Sequence, residues 1–264
     1  MNDDTRDFYD ALAPDYVGLF PDWEASMTRH GEVVEALIDG ALGTGEAARA
    51  RLVLDVSSGI GTQALGLARR GHQVLGRDLS PEMIARGRDV AARLGVALTL
   101  EVGDMRRARA EDAGRHDAVI AMDNSLPHLD RDEEIEQVFR SMLLALRPGG
   151  VALVSTRDYD SVLARPPAQR PRFDPLRLHT PPAGPRRISF QLWDWDDDDR
   201  YTLHLVMLDE REGGWPSVTR RARYRAISRA TLTRLARAAG LREVEWLMPS
   251  ESGFFQPVLR ARRA

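Results

Sequence analysis

Two aspartates and two glycines, Asp55, Gly59, Gly61 and Asp78, have the types and spacing best suited to chemistry in this chain. Glycines in a turn let the main chain approach a ligand where a Cβ would clash. A carboxylate ending the following strand can accept both hydroxyls of a ribose. The group therefore reads as a cradle for a nucleoside. GIGTQA fits the G-x-G-x-x-G/A fingerprint of dinucleotide binding, with Asp78 at roughly the expected distance. Asp55, four residues before Gly59, gives D-x-x-x-G-x-G instead. On these residues alone both patterns stand.

The elements that must position them follow from periodicity. The apolar run 52–56 is short and β-branched, as a buried parallel strand should be. Ala64, Leu65, Leu67 and Ala68 predict a helix over 62–70, with Gly71 placed to stop it. A second strand over 72–77 ends at Asp78, and Ser80-Pro81-Glu82 reads as the cap and first turn of a helix over 81–94. A third strand over 97–102 precedes Gly103-Asp104-Met105, and a fourth over 116–122 leads into Asp123-Asn124-Ser125-Leu126-Pro127-His128. Asp130 is placed to cap a helix with Ile135, Val138, Phe139, Met142, Leu143 and Leu146 on its core face. Arg147-Pro148-Gly149-Gly150 breaks that helix, and a fifth strand over 151–155 runs into Thr156-Arg157-Asp158-Tyr159-Asp160. Strand C-termini line the ligand crevice of open α/β sheets, so polar groups there are functional candidates by position.

The flanks read differently. Phe8, Tyr9, Tyr16, Phe20 and Trp23 crowd the first 30 residues, either packing on the domain or forming a lid whose faces meet a cation and a purine. Ser26 is placed to cap a helix to about residue 42, which puts Arg29 in its first turn, unfavourably for the helix dipole. A carboxylate-binding role would explain that arginine. Gly43-Thr44-Gly45 reads as the linker into the central strand. Seven of the 15 prolines fall between Pro166 and Pro185, predicting an irregular connection. Alternating runs around Phe190, Leu203 and Tyr224 then predict an antiparallel meander. Asp196 to Asp199 lacks EF-hand spacing and reads as a hairpin tip. Ser228 caps a helix ending at Gly240, and strands over 243–247 and 254–260 close the chain.

Composition narrows the classes. A chain of 264 residues with 43% hydrophobic content and formal charge −3 suits a soluble protein holding one large α/β domain with an insertion. Cysteine is absent, which excludes disulfides and thiolate chemistry. All 37 basic residues are arginine, which excludes Schiff-base lysine chemistry. Acids outnumber those arginines, and no basic stripe is interleaved with aromatics, against nucleic acid as partner. The acidic start, MNDDTRDFYD, is not a signal peptide, and no apolar run suits a membrane span, so a cytoplasmic location is expected. His30, His72, His116, His179 and His204 lack metal-ligand spacing, and no metal is expected.

Over 51–155 the order DVSSGIG, GRDLS, VGDM, AMDNSLPHL, LRPGG resembles the class I S-adenosylmethionine-dependent methyltransferases. DNSLPHL and TRDYD are similar to segments of the glycine and sarcosine N-methyltransferases, with weaker echoes in RYRAISRATLTRL and FFQPVL. The resemblance implies an α/β fold: a Rossmann-like seven-stranded mixed sheet with N-terminal lid helices and an antiparallel insertion after strand five. It implies S-adenosyl-L-methionine as cofactor, leaving as S-adenosyl-L-homocysteine. Asp55 would help hold the methionine amino group, Arg29 the methionine carboxylate, and Asp78 the ribose. Asp104 would accept from the adenine amine while Met105 packs on the ring. Ser57, Gly59, Gly61, Leu79, Met122, Asp123 and His128 would complete the cofactor shell, with Tyr9, Tyr16 and Trp23 matching only in kind. On the acceptor side Arg157 would bind a substrate carboxylate, and Asn124, Tyr159 and Tyr224 would help place the substrate, with His128 as an alternative general base. Ser58 stands where the family can carry a cysteine, and one tyrosine of a pair near the substrate survives as Tyr224; both departures point away from glycine itself.

The expected organisation is lid helices over 1–50, a cofactor-binding core over 51–159, a substrate cap over 160–226, and a closing helix and hairpin over 227–264. The expected activity is methyl transfer to a small-molecule amine, an amino acid or other carboxylate-bearing amine. Alternatives are N- or O-methylation of a larger natural product and, more remotely, an NAD(P)-dependent oxidoreductase or a non-catalytic cofactor sensor.

Overall fold

The computed structural model describes residues 3–43, 50–180 and 184–264. Thr44 and Gly45 of the expected linker, and Pro181 and Pro182 of the proline-rich connection, lie outside the described residues. Helices α1 (Asp3–Leu12) and α2 (Trp23–Leu42) precede the alternating core. That core runs β1 (Leu52–Asp55), α3 (Thr62–Arg69), β2 (Gln73–Asp78), α4 (Pro81–Leu94), β3 (Thr99–Val102), β4 (His116–Ala121), α5 (Asp132–Ala145) and β5 (Leu146–Ser155). A short α6 (Tyr159–Leu163) leads to β6 (Arg177–His179), β7 (Arg187–Trp195), β8 (Arg200–Asp209) and β9 (Ser217–Arg225). The chain closes with α7 (Arg229–Ala238), β10 (Arg242–Leu247), α8 (Pro249–Ser252) and β11 (Val258–Arg262).

The main sheet has the order β3-β2-β1-β4-β5-β11-β10, the expected seven-stranded mixed sheet. β1 to β5 pair in parallel, while β11 runs antiparallel to β5 and β10 to β11. Strand order reverses between β1 and β4, which opens a crevice at their C-terminal ends. β6-β7-β8-β9 form a separate antiparallel sheet that is the predicted meander extended by one short strand. No helix among the described residues is long and apolar enough to cross a membrane.

Local chemistry explains the boundaries. Ser80 caps α4, its Oγ accepting from the Met83 N–H at 3.0 Å, and Ser228 caps α7 in the same way from Thr231 at 3.1 Å. Three expectations are corrected. Asp22, not Ser26, caps α2, accepting from the Ala25 N–H at 2.9 Å; Ser26 lies inside the helix, its hydroxyl donating to the Asp22 carbonyl. Arg29 is therefore in the second turn, away from the N-terminal dipole charge. Asp130 is no cap either: α5 begins after Arg131 and carries Asp132, Glu133 and Glu134 in its first turn, where negative charge offsets the dipole. Finally, residues 254–257 form a loop after α8 rather than a strand, because Pro257 cannot donate to the ladder.

α2 packs on α3 through a glycine pair. A Cβ on Gly31 would lie 2.5 Å from the Gly66 carbonyl carbon, so only hydrogen at both positions allows this crossing. The contact presses α2 onto the helix that follows the Gly59–Gly61 turn.

Candidate active site

The turn after β1 is shaped by main-chain hydrogen bonds. Gly59 and Gly61 hold φ of +54° and +92°, conformations that L side chains rarely adopt. Asp78, at the end of β2, accepts from the Gly59 N–H at 2.8 Å and from the Ser80 N–H at 3.0 Å. One carboxylate thus joins the glycine turn to the start of α4. Burial pushes its pKa up. Asp10 of α1 bonds to the Ser80 hydroxyl, which draws the N-terminal helix over this turn.

Around the turn lies a pocket lined by Tyr9, Tyr16, Ser57, Gly59, Asp78, Leu79, Met105, Met122, Asp123 and His128, all among the expected cofactor residues. Thr5, Arg6, Ser58, Gln63 and Ser125 also line it, and no motif had singled them out for this wall. Ser125 could have been suspected from its place at the end of β4; Thr5, Arg6 and Gln63 arrive by helix packing and carry no sequence signal. Asp55 sits buried beneath, one oxygen accepting from the Ser57 N–H at 3.2 Å and the other without a partner. Burial drives its carboxyl up to about 7. Asp55 does not itself line the pocket but adjoins Val56 and Ser57, which do, and with the half-buried Asp78 on the rim its unmatched oxygen fits a ligand with an ammonium group and a ribose.

The structure does not bring every expected residue to this pocket. Trp23 is buried and donates its indole N–H to the Thr62 hydroxyl at 3.1 Å, anchoring α2 rather than facing the crevice. Asp104 points the other way: Arg106 grips it through its main-chain N–H at 3.0 Å and its guanidinium at 2.7 Å. Although burial works against ionisation, those bonds hold Asp104 below the usual carboxylate range. Gly61 shapes the turn without lining the pocket, and Arg29 lines a neighbouring cavity instead.

That cavity is larger, about 810 Å³, and meets the pocket at three shared side chains, Tyr9, Tyr16 and Asp123. Its walls come from the N-terminal segment (Leu12, Leu19, Phe20), the cap sheet (Gln191, Trp193, Leu203, Leu205, Tyr224) and the loop holding Phe254 and Phe255. Arg157, just after β5, lies 4.7 Å over the Trp193 ring and 5.9 Å over Tyr224, and donates to Gln191 Oε1 at 2.9 Å. Arg157 Nη1 and Trp193 Nε1 are both buried donors with no partner.

Asn124 organises this end of the crevice. Its Oδ1 accepts from the Thr156 hydroxyl at 3.2 Å and the Arg157 N–H at 3.0 Å, and its Nδ2 donates to the Tyr159 hydroxyl at 3.2 Å. Tyr159, expected at the substrate, is fully buried behind it because α6 starts there and turns the ring inward onto Tyr201, hydroxyl to hydroxyl at 2.8 Å. Tyr201 stacks in turn between Trp193 (4.8 Å, 15°) and Tyr224 (5.5 Å, 12°). His128 meets the Tyr9 hydroxyl at 2.8 Å and packs 4.1 Å from Tyr224. Burial lowers its pKa to about 3, so it stays neutral. No cluster of metal-ligating side chains occurs among the described residues.

Comparison with known proteins agrees with this geometry. Residues 53–150 match the model of the methyltransferase domain family. The glycine/sarcosine N-methyltransferase of Halorhodospira halochloris is 31% identical over 42% of this chain and 41% of its own, so the match spans less than half that relative's length. Among solved structures, the CcbJ methyltransferase from Streptomyces caelestis shares the fold at TM-score 0.73 and 22% identity, covering 97% of this chain and 98% of that one. CalS10, an amino pentose methyltransferase from Micromonospora echinaspora, has TM-score 0.72 and 20% identity, covering 90% and 92%. The stretch 53–150 thus matches a methyltransferase domain, and the chain resembles the class I S-adenosylmethionine-dependent methyltransferases and, among them, the glycine/sarcosine N-methyltransferases.

Proposed function

We propose that the chain methylates the nitrogen of a small-molecule amine that also bears a carboxylate, with S-adenosylmethionine in the pocket around Asp78. The division into N-terminal lid, core, cap and closing hairpin belongs to the same proposal. The observation that carries it is the pair of unpartnered buried donors, Arg157 Nη1 and Trp193 Nε1, in a cavity that meets the nucleoside pocket. Buried donors ordinarily have acceptors, and a guanidinium suits a carboxylate bidentately. The cofactor supplies an activated methyl group; the residues of the chain bind, orient and exclude water. Asp55 would meet the cofactor's ammonium, Asp78 its ribose, and Tyr9 and Tyr16 would cover it. Asn124 holds Arg157 in place through the Arg157 main-chain N–H.

A second reading, a larger natural-product acceptor, draws on the size of the cavity. About 810 Å³ is at the upper end of small-molecule sites, far beyond what glycine fills. The names of similar proteins span both readings, from glycine/sarcosine to an amino pentose. A panel of amino acids, amino sugars and phenols with isotope-labelled methyl donor separates them. Carboxylate-bearing amines are expected to turn over, and Arg157→Ala to cut kcat/KM about 10³-fold by weakening acceptor binding. Calorimetry should find cofactor affinity nearly unchanged; an equal loss there, or turnover of phenols alone, would refute the proposal.

A further inference from the structure

We propose that Asp123 is the proton acceptor that converts the acceptor's ammonium into the attacking amine, at the junction of the two cavities. This rests on the amine reading above. Asp123 and Asn124 are consecutive non-glycine residues at positive φ, +61° and +66°, which L side chains seldom adopt. The strain is held in place from behind. The Asp123 N–H donates to Ser155 Oγ at 2.7 Å, Ser155 donates to Gln256 Oε1 at 2.8 Å, and the Asn124 N–H reaches the Ser155 carbonyl at 3.3 Å. The bend puts Asp123 into the lining of both cavities, where acceptor nitrogen and methyl donor must meet. Asp78 is bonded to main-chain N–H groups and Asp104 to Arg106, whereas the Asp123 carboxylate makes no hydrogen bond among the described residues.

His128, the alternative base, is less suited. Its Nε2 already meets the Tyr9 hydroxyl at 2.8 Å and its ring forms a wall against Tyr224. The charged and titratable groups facing Asp123 are Arg157 after β5, Arg177 on β6, Tyr16 of the N-terminal segment and Tyr224 on β9. Burial raises the carboxyl, and the two arginines moderate the rise, so proton transfer from an ammonium is less uphill than to a solvated carboxylate. In the step itself a carboxylate oxygen of Asp123 takes one proton from R–NH₃⁺, giving R–NH₂ and a carboxylic acid. The nitrogen lone pair then forms the N–CH₃ bond, the methyl's former bonding pair stays with sulfur, and the carboxyl proton passes to water on product release.

Asp123→Asn tests this, because asparagine also tolerates a left-handed backbone. Calorimetry on protein saturated with S-adenosylhomocysteine uses L-phenylalanine and sarcosine as amine probes, with 3-phenylpropionate and acetate as their desamino partners. The variant is expected to bind the amines about 10- to 100-fold more weakly and the desamino acids unchanged. For the acceptor that turns over fastest in the wild-type protein, kcat should fall about 100-fold. The wild-type rate should fall away as Asp123 protonates in acid, whereas the variant's rate should climb log-linearly with pH towards the acceptor's own pKa. An unchanged pH profile, or equal weakening of amines and desamino acids, overturns the role of Asp123. If the wild-type protein binds none of the four probes while still binding S-adenosylhomocysteine, the amine-carboxylate reading falls, and the role of Asp123 with it.

Discussion

The pocket proposed for the nucleoside and the cavity proposed for the acceptor share a wall but are built in opposite ways. The pocket is centred on one run, from Val56 to Ser80, closed by strand-end loops at 103–105 and 122–128 and by Thr5, Arg6, Tyr9 and Tyr16 of the N-terminal segment. Its central contacts are main-chain N–H groups closing on Asp78. The cavity is assembled from the N-terminal segment, α2, the strand ends, the cap sheet and the loop before β11, and most of its contacts are between side chains. A site centred on one turn keeps its core contacts whenever that turn forms. A site made by five remote segments depends on how each is packed, and its chemistry can change while the pocket stays the same.

The sharpest way to break this division is Asp78→Ala. It removes the acceptor from the Gly59 and Ser80 N–H groups together with the proposed ribose contact. Calorimetry should show S-adenosylhomocysteine binding weakened by about 3 kcal/mol, while acceptor probes lose little. Gly31→Ala strikes the seam between the regions. A Cβ there meets Gly66 main chain, so denaturant unfolding should show about 2 kcal/mol lost stability. Because α2 carries Arg29 and His30 to the acceptor cavity, KM for the acceptor should rise more than cofactor Kd.

Asp55→Asn works through pH. The buried carboxyl titrates at about 7 against an ordinary 3.8, so the folded state binds the extra proton between these values. That contribution to stability is present in acid and is lost as pH rises through about 7. Without ligand, the asparagine variant should therefore be the more stable protein at pH 8, by up to about 4 kcal/mol for a carboxyl raised from 3.8 to about 7, with the gap closing towards pH 4. Its affinity for S-adenosylmethionine should lack the gain that the parent shows as Asp55 ionises, measurable by calorimetry across that range.

The same division governs what could be read in advance. Ser80-Pro81-Glu82 specifies a cap by local chemistry alone, and the Gly59–Gly61 turn is signalled by residues the backbone requires there. Trp23 misled because aromatic content does not say which face of a helix is buried. Asp104 misled because Arg106, two residues on, competes for its carboxylate, a contest that depends on how the loop folds back. Gln191 and Trp193 reach Arg157 only through the register of the cap sheet and its placement over the crevice, neither of which is encoded locally. The loop 254–257 was readable: Pro257 in an otherwise strand-like run was the signal against a strand.

Tyr9, Tyr16 and Asp123 belong to both walls, and this narrow overlap bears on how such a protein can be re-engineered. The remaining cavity residues on the cap sheet do not touch the nucleoside pocket, so they can be varied as a block to admit a new acceptor. The three common side chains cannot, since any exchange there is answered for on both sides at once. Selection for new acceptors should therefore accumulate changes in the cap and leave this small hinge of shared surface untouched.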